Sequence, residues 1–226
     1  MKSIKIENFS ALVKCSTNTC SSIVSFLPTT FEFSSGRIYG IISDFGCGSW
    51  GLARSITGNG QWKIDSNVFI DGHLSTQEDM KQFSGNILDP IWNTFFEDRN
   101  KCTVHNCLEF ALQESQLDYT PNEIKDIFCL SDARYNRSMD LVSGEIWNIS
   151  LALLFAFNKE IIAYPWLNAI DIKRFISLDE QGILDFLKKQ GKILLVPSSQ
   201  SKLLKNICDK RILYRISSRK ASVQYR

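Results

Sequence analysis

With 226 residues, 44% of them apolar and 22% charged, the chain is long enough to bury one substantial core and too ordinary in composition to be disordered or of low complexity. Its 26 basic and 24 acidic side chains leave a net charge of +2, which excludes the strong field that steers a protein onto nucleic acid. No cationic segment followed by an apolar one opens the sequence, and the longest apolar stretch, Ile146 to Phe157, is too short to cross a bilayer as a helix, so neither a secretory leader nor a direct membrane span is expected.

The first third reads as strands. Ser3 to Phe9 alternates in part, with Ile4 and Ile6 facing one way. Phe31 to Phe33 stops at the turn signal Ser35-Gly36, and Ile38 to Ile42 is a continuous apolar run, the pattern of a strand covered on both faces. That run enters Ser43-Asp44-Phe45-Gly46-Cys47-Gly48, after which a helix is predicted from Trp50 to Ile56, ending at Gly58. The order is strand, tight glycine loop, helix.

The texture changes between Leu74 and Asp140. Helical spacing is best at Val104, Leu108 and Ala111-Leu112, and Pro90 and Pro121 suit connections, so this stretch reads as an inserted, mainly helical part. An α/β rhythm resumes at Ser143: a very apolar helix from Glu145 to Phe157, a short strand from Glu160 to Ala163, and an amphipathic helix from Asp179 to Gln190. A buried strand from Lys192 to Val196, a helix from Ser201 to Cys208 and a strand from Arg211 to Tyr214 follow. Repeated strand–helix units with long apolar strands specify a covered, mostly parallel sheet. The chain therefore divides into a 1–73 β part with the glycine loop, a 74–140 helical part and a 141–226 remainder of the α/β core, without repeats or polar linkers.

Seven cysteines, Cys15, Cys20, Cys47, Cys102, Cys107, Cys129 and Cys208, make an odd count. Cys102 and Cys107 flank His105, but no second cluster completes four metal ligands, so free thiols in a reducing compartment are expected and no metal site.

These landmarks resemble, in order, the nucleotide-binding domain of ABC transporters. Gly36 to Ile42 looks like the strand before that family's phosphate loop, Leu52 to Gly58 like the helix after it, and Ile70-Asp71-Gly72 like a β-turn of its N-terminal sheet. Thr103 to Leu108 resembles the opening of its helical subdomain. Leu141-Val142-Ser143-Gly144-Glu145 sits where the signature loop belongs, with Leu151-Ala152 following. Asn168-Ala169-Ile170-Asp171 resembles the loop after the Walker B strand, and Cys208 to Ile212 the approach to the last shared strand. The resemblance implies an α/β P-loop NTPase-like core with a mostly parallel sheet, an N-terminal antiparallel β subdomain and an inserted helical subdomain.

The same comparison implies a degenerate, catalytically inactive member. A phosphate loop needs glycines that let N–H groups converge on phosphate oxygens, a lysine for the β and γ phosphates, and a hydroxyl on Mg²⁺. Gly46 and Gly48 persist, but Ser43 holds the first glycine position, Ser49 the lysine position and Trp50 the metal-ligand position, with Asp44 adding like charge toward a triphosphate. The Walker B position reads Tyr164-Pro165-Trp166, with no carboxylate for a metal or an attacking water. Ser199 stands at the switch-histidine position. The Mg²⁺-sensing glutamine belongs near Asn93 or Thr94, and Gln82 lies too early. In the signature-like loop, Val142 and Ser143 replace the serine and first glycine while Gly144 and Glu145 fit, and Asn168 and Asp171 remain D-loop-like.

A fold retained without its chemistry serves as a binding surface. The expected protein is a non-catalytic accessory subunit of an ABC transport system, cytoplasmic or peripheral on the inner face of the membrane. It would pair with a permease and a competent ATPase subunit or form a homodimer, and take ATP and Mg²⁺ only weakly or through a partner. Phe95 and Phe96, beside Glu97 and Asp98, are candidate partner anchors. The alternatives are a free-standing scaffold that binds a protein or peptide, and a weak nucleotide binder that completes a partner's ATP site through its signature-like loop.

Overall fold

The structure is a computed structural model that describes residues 1–16, 21–45, 48–87, 89, 102–142, 144–216 and 221–225. In chain order it runs β1 (Ser3–Phe9), β2 (Ala11–Ser16), β3 (Ser21–Ser25), β4 (Thr29–Ser34), β5 (Arg37–Ile42), α1 (Ser49–Ile56), β6 (Gln61–Trp62), β7 (Asn67–Ile70), β8 (His73–Ser75), α2 (Gln77–Phe83) and β9 (Ser84–Asn86). It continues with α3 (Val104–Ser115), α4 (Pro121–Ile127), α5 (Asp132–Tyr135), α6 (Ile146–Ala156), β10 (Ile161–Ala163), α7 (Ala169–Glu180), α8 (Ile183–Lys189), β11 (Ile193–Ser198), β12 (Lys210–Ile216) and β13 (Ala221–Tyr225). The chain forms two compact units, one of Met1–Asn86 with Glu160–Arg226 and the other of Ile87–Lys159. The sequence texture places the helical part at 74–140 and the remainder of the core at 141–226.

The larger unit is built on a six-stranded sheet of order β13-β12-β5-β11-β10-β9. Its five strands from β12 to β9 are parallel, and β13 turns back antiparallel on β12. β11 is buried at every position, and β5 is buried from Ile38 to Ile42, because both lie between neighbours inside a covered sheet. A four-stranded sheet of order β4-β1-β7-β8 is antiparallel throughout. Its β1–β4 register sets Ile4 opposite Phe33 and Ile6 opposite Phe31, so the alternation in both strands delivers four fully or almost fully buried side chains to one face. A three-stranded sheet of order β3-β2-β6 completes the unit.

One apolar cluster joins these layers, and includes Ile4, Phe9, Phe33, Tyr39 and Ile41 together with Leu52, Ala53 and Ile56 of α1. Burying a side chain such as Leu52 contributes about 2 kcal/mol. Asp209 ties the start of β5 to this unit: its Oδ2 accepts from the Ile38 N–H at 2.8 Å and its Oδ1 pairs with Lys188 Nζ at 2.9 Å.

In the helical unit α3 packs on α6, α4 and α5. Thr103 caps α3 by accepting from the Asn106 N–H at 3.2 Å. Thr120 and Glu123 form a reciprocal capping box at α4, behind Pro121 in the first turn. α6 has no polar face, since Trp147 and every residue from Ile149 to Ala156 are buried.

Two expectations about elements need correction. The helix predicted from Asp179 to Gln190 is interrupted: α7 ends at Glu180, Gly182 takes a left-handed φ of 76°, and α8 starts anew at Ile183. The helix predicted from Ser201 to Cys208 is only a 3-10 turn at Leu203–Asn206. The parallel sheet and the strands at Ser3–Phe9 and Arg37–Ile42 lie where the apolar runs placed them.

Candidate functional site

Parallel strands end together, and a ligand in an open α/β sheet binds beyond their carboxyl ends. In the larger unit that edge is formed by the residues after β5, β10 and β11, beside the end of β9 at Asn86. The segments that follow β5, β10 and β11 bring hydroxyls, rings and a proline to the edge, and among their described residues Asp44 is the one acid and the exposed Lys202, just before the 3-10 turn, the one base.

The loop between β5 and α1 is bonded to its own chain. Ser43 N–H donates to Ser198 O at 3.0 Å, which carries the β5–β11 ladder one residue beyond the strand. The Ser43 hydroxyl donates to Ser49 Oγ at 2.6 Å and lies 3.4 Å from the Ser49 N–H, the first amide of α1. Ser49 is 1% exposed, so its hydroxyl points into the protein. Gly48 precedes the helix with φ 98°, and a Cβ there would meet Tyr214 Cε1 at 2.8 Å and Phe26 Cβ at 3.1 Å. This glycine meets both a backbone demand and a close approach. Gly46 lies outside the described residues.

Trp50 packs with Val13 and Cys15 of β2, and Trp166 lies against the same cluster. Phe45, about half exposed, sets its ring edge-on to Trp166 at 5.0 Å and lies 6.4 Å from Trp50. Three rings from the loop, α1 and the segment after β10 thus form one cluster at the strand ends.

After β10 the chain follows β11 without a helix. Tyr164 N–H donates to Leu195 O at 2.9 Å and Leu167 N–H to Pro197 O at 2.8 Å. Tyr164 is buried with its ring edge-on to Phe175 at 5.0 Å, and burial pushes its phenol far above the ordinary range, so it stays neutral. Pro165 and Trp166 are partly buried. The Ser198 hydroxyl donates to Leu167 O at 2.7 Å and accepts from the Gln200 N–H at 3.0 Å, and Ser199 Oγ accepts from Gln200 Nε2 at 3.3 Å. Asn168 caps α7, its Oδ1 accepting from the N–H groups of Ile170 at 2.8 Å and Asp171 at 3.0 Å.

In the helical unit, Val142 is buried and Gly144 exposed, and Ser143 lies outside the described residues. Glu145 is the residue before α6, but its carboxylate accepts from the Ser131 N–H at 3.0 Å and the Ser131 hydroxyl at 2.6 Å, the cap position of α5. Arg134 Nη1 donates to Leu141 O at 3.1 Å. The signature-like loop is thus held at both ends by α5 and its cap. Asn93, Thr94, Phe95, Phe96, Glu97 and Asp98 lie outside the described residues, and Gln82 belongs to α2.

Sequence reasoning missed β9. Ser84-Gly85-Asn86 has no apolar alternation, yet it pairs with β10 in parallel, and Asn86 Oδ1 accepts from the Thr57 hydroxyl at 3.1 Å at the end of α1. It also missed Ser198, whose bond to Leu167 exists only once the segment after β10 lies beside β11. Among the described residues no group of three or more His, Cys, Asp or Glu side chains could hold a metal ion, and no helix is long and apolar enough to cross a membrane.

No family model matches the sequence. The methionine import ATP-binding protein MetN of Clostridioides difficile (strain 630) is 25% identical over 188 residues, which cover 79% of this chain and 57% of that protein. The chain thus spans little more than half the length of that curated relative. A solved nucleotide-free ATP-binding cassette from an ABC transporter is 14% identical with a TM-score of 0.64, over 94% of this chain and 87% of its own. The cbiO1 structure from Clostridium perfringens, part of the ABC transporter complex cbiONQ, is 11% identical with a TM-score of 0.61, over 92% of this chain and 84% of its own.

Proposed function

We infer that this chain, which has the fold of the ATP-binding cassettes of ABC transporters, is a cassette-like subunit of a transport system that does not itself hydrolyse ATP. The observation that carries the reading is the inward-turned phosphate loop: Ser49 is bonded to Ser43, and Trp50 is packed on Val13 and Cys15. A triphosphate with magnesium needs a cation and carboxylates close by, and transition-state charge needs fixed donors worth orders of magnitude in rate. At this edge a hydroxyl stands in the lysine position and a packed indole in the metal-ligand position. Tyr164, Pro165 and Trp166 occupy the place of the acids. These residues do not fit Mg-ATP, and no hydrolytic step is assigned to them.

The loop then serves as a compact strand-to-helix turn, and the subunit acts through its surfaces. We assign it a place beside a permease and a catalytically competent ATPase subunit, on the cytoplasmic face of the membrane. Calorimetric titration with Mg-ATP and Mg-ADP tests the reading directly: no micromolar binding is expected from the isolated chain, and no phosphate release above the buffer blank. Binding at micromolar concentration, or turnover typical of an ATPase, would overturn it.

A second reading rests on the anchoring of the signature-like loop by Ser131 and Arg134. A loop fixed in this way could support a nucleotide held by a partner subunit, through the first turn of α6. Substituting Gly144→Trp would then abolish stimulation of a co-encoded ATPase by this chain. Unchanged stimulation removes this second role.

A further inference from the structure

Cys102 and Cys107 stand in a special relation to α3. With Thr103 as the cap residue, Cys102 is the residue just before the cap and Cys107 the fourth residue of the helix. Those two positions ordinarily hold a pair of apolar side chains that staple the entering chain to the first turn. Here both members of the staple are thiols, buried at 6% and 2% exposure, with their sulfurs 3.5 Å apart. The same corner is tied to residues 137–139 of the helical unit. Cys102 O accepts from the Met139 N–H at 2.9 Å, Val104 N–H donates to Arg137 O at 3.1 Å, and Thr103 bridges Ser138. Met139 leads within three residues to the signature-like loop at Val142.

We propose that Cys102 and Cys107 form a reversible dithiol–disulfide site, oxidised by a low-molecular-weight disulfide of the glutathione type, that locks the first turn of α3 to the base of the signature-like loop. The step balances without another co-reactant. The Cys102 thiolate attacks one sulfur of the reagent, giving a mixed disulfide and one reagent thiolate. The Cys107 thiolate then attacks Cys102 Sγ and displaces the second reagent thiolate, so two protein thiols are oxidised and one reagent disulfide is reduced to two thiols. Closing the bond requires the sulfurs to approach by about 1.5 Å, from 3.5 Å to the ordinary disulfide length. Burial favours the protonated thiol at both residues, so the reaction proceeds through transient opening of the first turn and is slow compared with that of the exposed Cys129. The bland alternative is an apolar staple that happens to be made of sulfur. Oxidation distinguishes the two, because a packing pair has no need to be able to close.

The test uses the full chain carrying Cys129→Ser, incubated with oxidised glutathione, quenched with an alkylating reagent and cleaved with trypsin. The peptide covering 102–125 is expected unalkylated and about 2 Da lighter than its dithiol form, and reduction should restore it. In the Cys107→Ser variant the same treatment should stop at a glutathione adduct on Cys102. Hydrogen exchange of the oxidised chain should be slowed at least about threefold at the amides of 104–107 and 139–142 relative to the reduced chain, and unchanged in β11. Full alkylation of both cysteines after prolonged oxidation would overturn the proposal, as would an adduct on Cys102 that Cys107 never resolves. Unchanged exchange at 139–142 would overturn the link to the loop.

Discussion

Gly48 and Ser49 show how single residues decide the chemistry at the strand ends. Gly48 is held both by its left-handed φ and by the Tyr214 and Phe26 side chains, whereas Gly72 has a similar φ and nothing within 4 Å of its missing Cβ. Gly48→Ala is therefore expected to cost about 2–3 kcal/mol in urea unfolding, and Gly72→Ala about 1 kcal/mol. Equal costs would show that Tyr214 yields freely. On the proposed reading, placing a cation in the loop should not create a ligand site. Ser49→Lys puts an ammonium where the native hydroxyl is almost fully buried, with no carboxylate supplied after β10, so calorimetry is expected to detect lower stability and still no micromolar Mg-ATP binding. Tight binding by that variant would mean that the lysine alone was lacking.

Among the elements, the helix ends carry much of the local information. α2 and α4 each begin with a threonine paired reciprocally to an acid three residues on, Thr76 with Asp79 and Thr120 with Glu123. Thr76→Ala is expected to cost about 1 kcal/mol in thermal or urea unfolding. The backbone and hydroxyl bonds from Thr76 and Thr120 hold Asp79 and Glu123 below their ordinary values of 3.8 and 4.5. A carboxyl lowered in the folded state contributes stability that is present above its unfolded value and lost as the pH falls through the folded one. The Asp79→Asn, Glu123→Gln double variant should therefore lose less stability than the native chain as an acid titration passes below those values, and parallel acid curves would exclude the linkage. Each cap spans only four residues of sequence, yet a reading by periodicity passed over both. The break between α7 and α8 was hidden too, since Ile183, Phe186 and Leu187 keep helical spacing after Gly182, and only the left-handed turn separates the two helices.

At the scale of the molecule, the parallel sheet makes one cooperative core of segments far apart in the chain. Leu195 in β11 is fully buried between neighbours, and Leu195→Ala is expected to cost about 2–5 kcal/mol. Ile64, fully exposed before β7, should tolerate Ile64→Ala within about 0.5 kcal/mol. A large loss at Ile64 would reveal a surface partner within the preparation.

The amino-acid sequence by itself determined the apolar runs of β5 and β11, the glycine loop between strand and helix, and the hydroxyl, rings and proline that Ser49, Trp50 and Tyr164 to Trp166 bring after β5 and β10. These are properties of short segments, and periodicity and composition record them directly. The tertiary structure alone decided that Ser84–Asn86 is a strand, that Ser198 bonds Leu167, that Phe45, Trp50 and Trp166 meet in one ring cluster, and that two thiols five residues apart stand in contact. Each of those facts depends on which strands become neighbours or on how a helix end turns. Sheet pairing joins segments more than a hundred residues apart, and no local pattern encodes that choice.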